Sequence, residues 1–114
     1  MPNTFFPRRP EANPMIYAYE DKAYPGLLKV GYTAVDVQKR VAQQYPTLRP
    51  GALPYRILLE EPAMRGDGTS FTDHEVHRVL RQMGIHNPEG EWFECGVKEV
   101  KAAIRAVRTP SEID

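Results

Sequence analysis

The stretch MIYAYEDKAYPGLLKVGYT, residues Met15 to Thr33, decides the fold. Met15 to Tyr19 and Leu27 to Tyr32 are rich in aromatic and branched strand formers, while Asp21 to Gly26 supplies turn residues between them. This order predicts a β-hairpin with a loop of about seven residues. A register that sets Tyr19 against Leu27 also sets Tyr17 against Lys29, and directly opposed residues share one face of a sheet. A phenol and an ammonium would then meet.

Downstream, Thr33-Ala34-Val35-Asp36 has the form of a helix start, with a hydroxyl to cap free amides and a carboxylate in the first turn. The helix is expected to run to about Gln44, with Val37 and Val41 inward and Arg40 at the border of that stripe. Tyr55 to Leu59 reads as a third strand and Glu61 to Ser70 as a flexible loop. Thr72 to Met83 gives the clearest helical signal, because Val76, Val79, Leu80 and Met83 recur at i, i+3, i+4 and i+7 and Gly84 follows as a stop. Glu91 to Glu94 is a short aromatic segment. Val97 to Arg108 forms a last helix with Val97, Val100, Ile104 and Val107 inward. Mixed strands and helices joined by a hairpin predict an α+β domain on a small three-stranded antiparallel sheet, over residues 15–109. Residues 1–14, with four prolines, read as an extended arm, and 110–114 as a tail.

A chain of 114 residues makes one domain with one modest core. A single cysteine, Cys95, rules out an internal disulfide framework, and the absence of a long apolar run predicts neither signal peptide nor membrane span. The expectation is a soluble, cytoplasmic protein. Fifteen basic and fifteen acidic residues give zero formal charge, so nucleic-acid contact must come from a local patch. Lys98, Lys101, Arg105 and Arg108 form one stripe on the last helix and are candidates for following a phosphate backbone; a solvated face is the plainer reading. His77 is a further candidate for approaching DNA, or is solvated. A zinc site within one helix is not expected from His74, Glu75 and His77, because Glu75 and His77 lie about 200° apart around the axis.

Tyr17 in an apolar strand, Lys29-Val30-Gly31-Tyr32-Thr33 on the next, Arg40 eleven residues after Lys29, Glu75 in a later helix and Gly90-Glu91-Trp92-Phe93 near the end together resemble the GIY-YIG endonuclease superfamily. The likeness is to its phage-type branch, whose domains are often fused to helicase or restriction proteins. Met15 stands where that family usually has glycine and Lys29 where many members have a second tyrosine; Asn87 is the nearest match to its late asparagine. The resemblance implies a three-stranded sheet flanked by helices and metal-dependent hydrolysis of DNA phosphodiesters. Glu75 would hold Mg²⁺ or Mn²⁺, Tyr17 with Lys29 would orient and deprotonate the water, and Arg40 would bind the phosphate. It leaves open whether Tyr17 or Lys29 is the base. Each residue also has a plainer reading: Tyr17 as packing, Glu75 as the reciprocal cap of its own helix through Thr72-Asp73-His74-Glu75, Lys29 and Arg40 as surface cations. The alternative function is a binding or targeting module that cleaves poorly, within a larger restriction or helicase protein.

Overall fold

A computed structural model describes residues 13–47 and 51–109. Of the expected arm, residues 1–12 lie outside the described part, as does the tail 110–114. The elements follow in the order β1 (Met15–Asp21), β2 (Leu28–Thr33), α1 (Val37–Ala42), β3 (Tyr55–Pro62), α2 (Asp73–Gln82), β4 (Trp92–Phe93) and α3 (Val97–Arg108). The strands form one antiparallel sheet in the order β3-β1-β2-β4. The α+β class holds, but the sheet has four strands where three were expected. The fourth is only Trp92 and Phe93, paired with Lys29 and Leu28. Two residues are too few to show the alternation by which a strand is read from sequence.

The hairpin register also differs from expectation. Tyr17 pairs with Gly31, and Tyr19 pairs with Lys29. The cause lies at the turn, where Asp21 ends β1 and accepts a hydrogen bond on its side chain from the Ala23 amide, at 2.8 Å, so the loop closes two residues later than predicted. Because a shift of two keeps the strand parity, Tyr17 and Lys29 stay on one face although they are not opposed.

That parity gives the sheet two unlike faces. Ile16, Ala18, Leu28, Val30 and Leu59 bury against Val76 and Leu80 of α2 and Val100, Ala103, Ile104 and Val107 of α3. On the other face Tyr17 and Tyr19 pack with Val37 and Val41 of α1, and with Tyr45, Tyr55, Ile57 and Trp92. α1 is shorter than its sequence suggested. Asp36 caps it by accepting from the Gln38 amide at 2.8 Å, while Thr33 closes a separate turn onto the Val35 amide at 3.0 Å. Two competing side-chain caps stood three residues apart, and the later one starts the helix.

α2 starts at Thr72 in a capping box, with Thr72 accepting from the His74 amide and Glu75 accepting from the Thr72 amide at 3.2 Å. Its inward row includes His77, whose Nε2 lies 2.7 Å from the Val30 carbonyl and whose ring packs on Phe93. A helix is thereby pinned to the central hairpin by one polar bond inside an apolar layer. Among the described residues no helix is long and apolar enough to cross a membrane.

Candidate active site

Tyr17 is fully buried in the middle of the sheet, and only a glycine could face it. A Cβ placed on Gly31 would lie 2.5 Å from both Cζ and the hydroxyl oxygen of Tyr17. Gly31 is therefore needed for the close approach of a neighbouring side chain. The ring of Tyr17 passes over the Gly31 backbone, and its hydroxyl ends beneath Gln44, just after α1.

There it meets Gln44. The Gln44 amide Nε2 donates to the Tyr17 hydroxyl at 2.9 Å, and its Oε1 accepts from Lys29 Nζ at 2.8 Å and from the Tyr19 hydroxyl at 2.6 Å. The orientation of this amide is dictated by chemistry, because an ammonium can only donate and so must face the oxygen. Nε2 is then left for Tyr17. A positive charge on one end of the amide strengthens the donor at the other, so Lys29 acts on Tyr17 through Gln44. The two tyrosines are consequently unequal. Tyr17 accepts a hydrogen bond from Gln44, whereas Tyr19 donates one to it. Burial pushes Tyr19 up to about 12.

Beside this network lies an open cavity of about 650 Å³. Tyr19, Tyr45, Tyr24 and Trp92 supply its aromatic walls, and Lys29, Asp21, Glu89 and Glu91 its charges. Glu91 meets Lys29 at 3.0 Å. Asp21 accepts from the Tyr45 hydroxyl at 2.6 Å, and burial followed by this bond raises the Tyr45 pKa well above the usual range. Asp21 therefore fixes a cavity wall.

Of the other residues expected at the site, Arg40 is exposed on α1 and its side chain makes no ion pair or hydrogen bond among the described residues. It lies one turn before Gln44, whose Nε2 also approaches the Arg40 carbonyl at 3.4 Å. Tyr17, Lys29 and Arg40 thus belong to one layer of the molecule. Glu75 belongs to the other, with α2. Its Oε2 meets Arg65 at 2.8 Å and its Oε1 accepts from the Thr72 amide. Arg65 in turn donates to the Val107 carbonyl at 3.1 Å and covers the ring of Phe71. Arg65 fills the place a cation would take, so these residues do not fit an Mg²⁺ or Mn²⁺ site on Glu75 beside Tyr17. Among the described residues no three His, Cys, Asp or Glu side chains group as a metal site.

His77, read from sequence as approaching DNA or as solvated, is instead buried between α2 and β2 because its ring completes the Phe93 contact and bonds Val30. Of the α3 stripe, Lys98, Lys101 and Arg105 are exposed, while Arg108 is held by Glu61 at 3.2 Å and the Pro62 carbonyl. This stripe lies on the layer away from Tyr17. Asn87 is a turn residue: its side chain donates to the carbonyls of Gly90 and Trp92, at 3.0 and 2.7 Å, and so places Glu91.

Gln44, Glu91, Asp21 and Tyr45 were not read as site residues. Gln44 stands four residues after Arg40, the spacing that aligns two side chains on one helical face, and that was the available signal. Glu91 lay within the Gly90-Glu91-Trp92-Phe93 string but had no role assigned to it, and Tyr45, which reaches the site from a loop, gave no signal.

A protein-family model, the T5orf172 domain, matches residues 15–108 of the chain. No curated protein and no solved structure matches it. The match is consistent with a nuclease-like or DNA-binding module.

Proposed function

This chain belongs to the T5orf172 domain family, and on that premise we propose that it is a DNA endonuclease domain whose working face is the tyrosine-lined one. The observation that carries this reading is the Tyr17–Gln44–Lys29 chain of hydrogen bonds. The wider kinship with GIY-YIG endonucleases rests on the same residues, taken with Arg40. As the phenolate, its own proton first given up to solvent and the Gln44 amide donating to its oxygen, Tyr17 takes a proton from water. A tyrosine near neutral pH needs such help, because its free pKa is ~10. The water oxygen then bonds to phosphorus as the bond to the leaving oxygen breaks, and the leaving oxygen collects a proton from solvent. Arg40, exposed on α1 and planar, holds the phosphate and offsets the charge that builds in the transition state.

Lys29 is assigned to supporting Tyr17 rather than to proton removal, since its Nζ is held by Glu91 at 3.0 Å and by Gln44 at 2.8 Å. Glu75 is assigned to capping α2 and tying down Arg65. A larger helicase or restriction polypeptide remains the partner expected for a module of zero net charge.

The second reading is a DNA-binding module that cleaves weakly, favoured by the neutralisation of Lys29 by Glu91 and the separation of Glu75 from Tyr17. Supercoiled plasmid incubated with the purified chain and Mg²⁺, Mn²⁺ or EDTA separates the two. Nicking or linearisation is the expected outcome, and the EDTA arm reports whether a divalent ion takes part. Salt-dependent binding with no cutting under any of these conditions would favour the second reading.

A further inference from the structure

The cavity beside Tyr17 is walled for a flat ring. Tyr19 lies buried at its base, and the rings of Tyr45 and Trp92 stand at 69° and 82° to it, with centroids 5.9 and 5.8 Å away. Tyr24, half exposed, packs 5.5 Å from Trp92 at the rim. Aromatic faces around an open cavity stack nucleobases regardless of their identity, because each base has a π-face.

Identity must then come from the polar edge, which is set by one pair. Lys29 Nζ and Glu91 Oε1 sit 3.0 Å apart at the cavity wall. The ammonium has three N–H groups, and Gln44 and Glu91 use two of them. The second oxygen of Glu91 accepts no hydrogen bond among the described residues. The cavity therefore shows one donor directly beside an open acceptor that can take two.

Guanine carries the matching order on its Watson–Crick edge: O6 as acceptor, then N1–H and N2–H as adjacent donors. Thymine would turn its O2 lone pairs toward the carboxylate. Adenine and cytosine carry a single edge donor, so with either face up they give the carboxylate one hydrogen bond where guanine gives two. Asp21, Glu89 and Glu91 against Lys29 also leave the cavity acidic, so it suits a base and repels a phosphate, which remains for Arg40 outside. An alkylated ammonium is the rival occupant for an aromatic, acidic pocket, but the chain's own Lys29 already lies 5.8 Å over the Tyr19 ring.

We propose that this cavity receives the base of an unpaired guanine nucleotide, stacked between Trp92 and Tyr45 and read by Lys29 and Glu91. The inference rests on the reading of the domain as a nucleic-acid-cleaving module and names its substrate, a strand with an accessible guanine. A paired guanine has that edge occupied.

Trp92 is the single tryptophan of the chain, so its fluorescence reports on the cavity alone. The full chain is titrated in EDTA with a thymidine hexanucleotide, with the same strand carrying one central guanine, with that strand annealed to its complement, and with tetramethylammonium. The guanine strand is expected to quench Trp92 with an affinity about tenfold or more above that of the thymidine strand. Annealing should abolish the effect, and Glu91→Gln, checked for folding by circular dichroism, should remove the preference between strands. Equal quenching by both strands, quenching by tetramethylammonium alone, or an unchanged signal throughout would overturn the proposal. The same preparation is assayed on plasmid: guanine-selective quenching without cutting sinks the nuclease and leaves the pocket, and cutting without selective quenching does the reverse.

Discussion

The two faces of this sheet are built from alternate residues of the same strands, yet they differ in kind. Ile16, Ala18 and Val30 look into a dry layer with α2 and α3, where the polar bond of His77 to Val30 is fully buried. Tyr17, Tyr19 and Lys29 look the other way, where aromatic bodies are packed but their polar ends form a connected network around Gln44. The first face holds the fold. The second lines an open cavity with aromatic rings and arranges hydroxyls, an ammonium and carboxylates along it, which is the composition of a site and not of a core.

If that division is right, damage to the dry face should be the most costly to stability. Phe93→Ala, at a fully buried ring between β4 and His77, is expected to lose about 3–5 kcal/mol in urea unfolding. Gly31→Ala attacks the other face at its tightest point. Its new methyl group must push the Tyr17 tip off Gln44, with an expected loss of ~1–3 kcal/mol and of cutting together. A stable Gly31→Ala protein that cuts normally would mean that Tyr17 does not need its place under Gln44.

Removing the α2 cap should sharpen the contrast. Thr72→Ala is expected to cost about 1 kcal/mol and to leave plasmid cutting at the wild-type level, because the capping box belongs to the dry layer. The last expected effect is one of pH. Tyr19 is held protonated up to about 12 in the folded chain, against ~10 when unfolded, so the folded state binds the proton more tightly. Its contribution is complete below pH ~10 and is lost as pH rises toward 12. Tyr19→Phe should flatten that part of the alkaline unfolding curve followed by circular dichroism, and an unchanged slope would remove Tyr19 from the account.

Much of the fold was legible because periodicity and caps agree over long segments. α2 and α3 appear within a residue or two of the positions that their apolar spacing predicts. The register of the hairpin was not legible, because an Asp21 turn and a simple seven-residue loop differ only in side-chain geometry. β4 escaped for want of length. In the site, Tyr17, Lys29 and Arg40 could be placed on one side of the sheet by parity and helix phase. Glu75 could not, since its layer depends on which face α2 covers, and the same Thr72–Glu75 spacing serves a cap and a ligand alike. Gln44 joins Tyr17 to Lys29 across 27 and 15 residues, a relation that only the folded chain displays.

The most direct test of the central claim, that the tyrosine-lined face does the chemistry, is plasmid cutting by Tyr17→Phe beside Glu75→Gln, with both variants shown to fold. Tyr17→Phe deletes one hydroxyl and should reduce the rate by about 10²-fold or more. Glu75→Gln, which leaves that face intact, should cut close to wild type once its cap is allowed for. Full activity in folded Tyr17→Phe, with loss of activity in folded Glu75→Gln, would contradict the account and move the active site to the layer of α2.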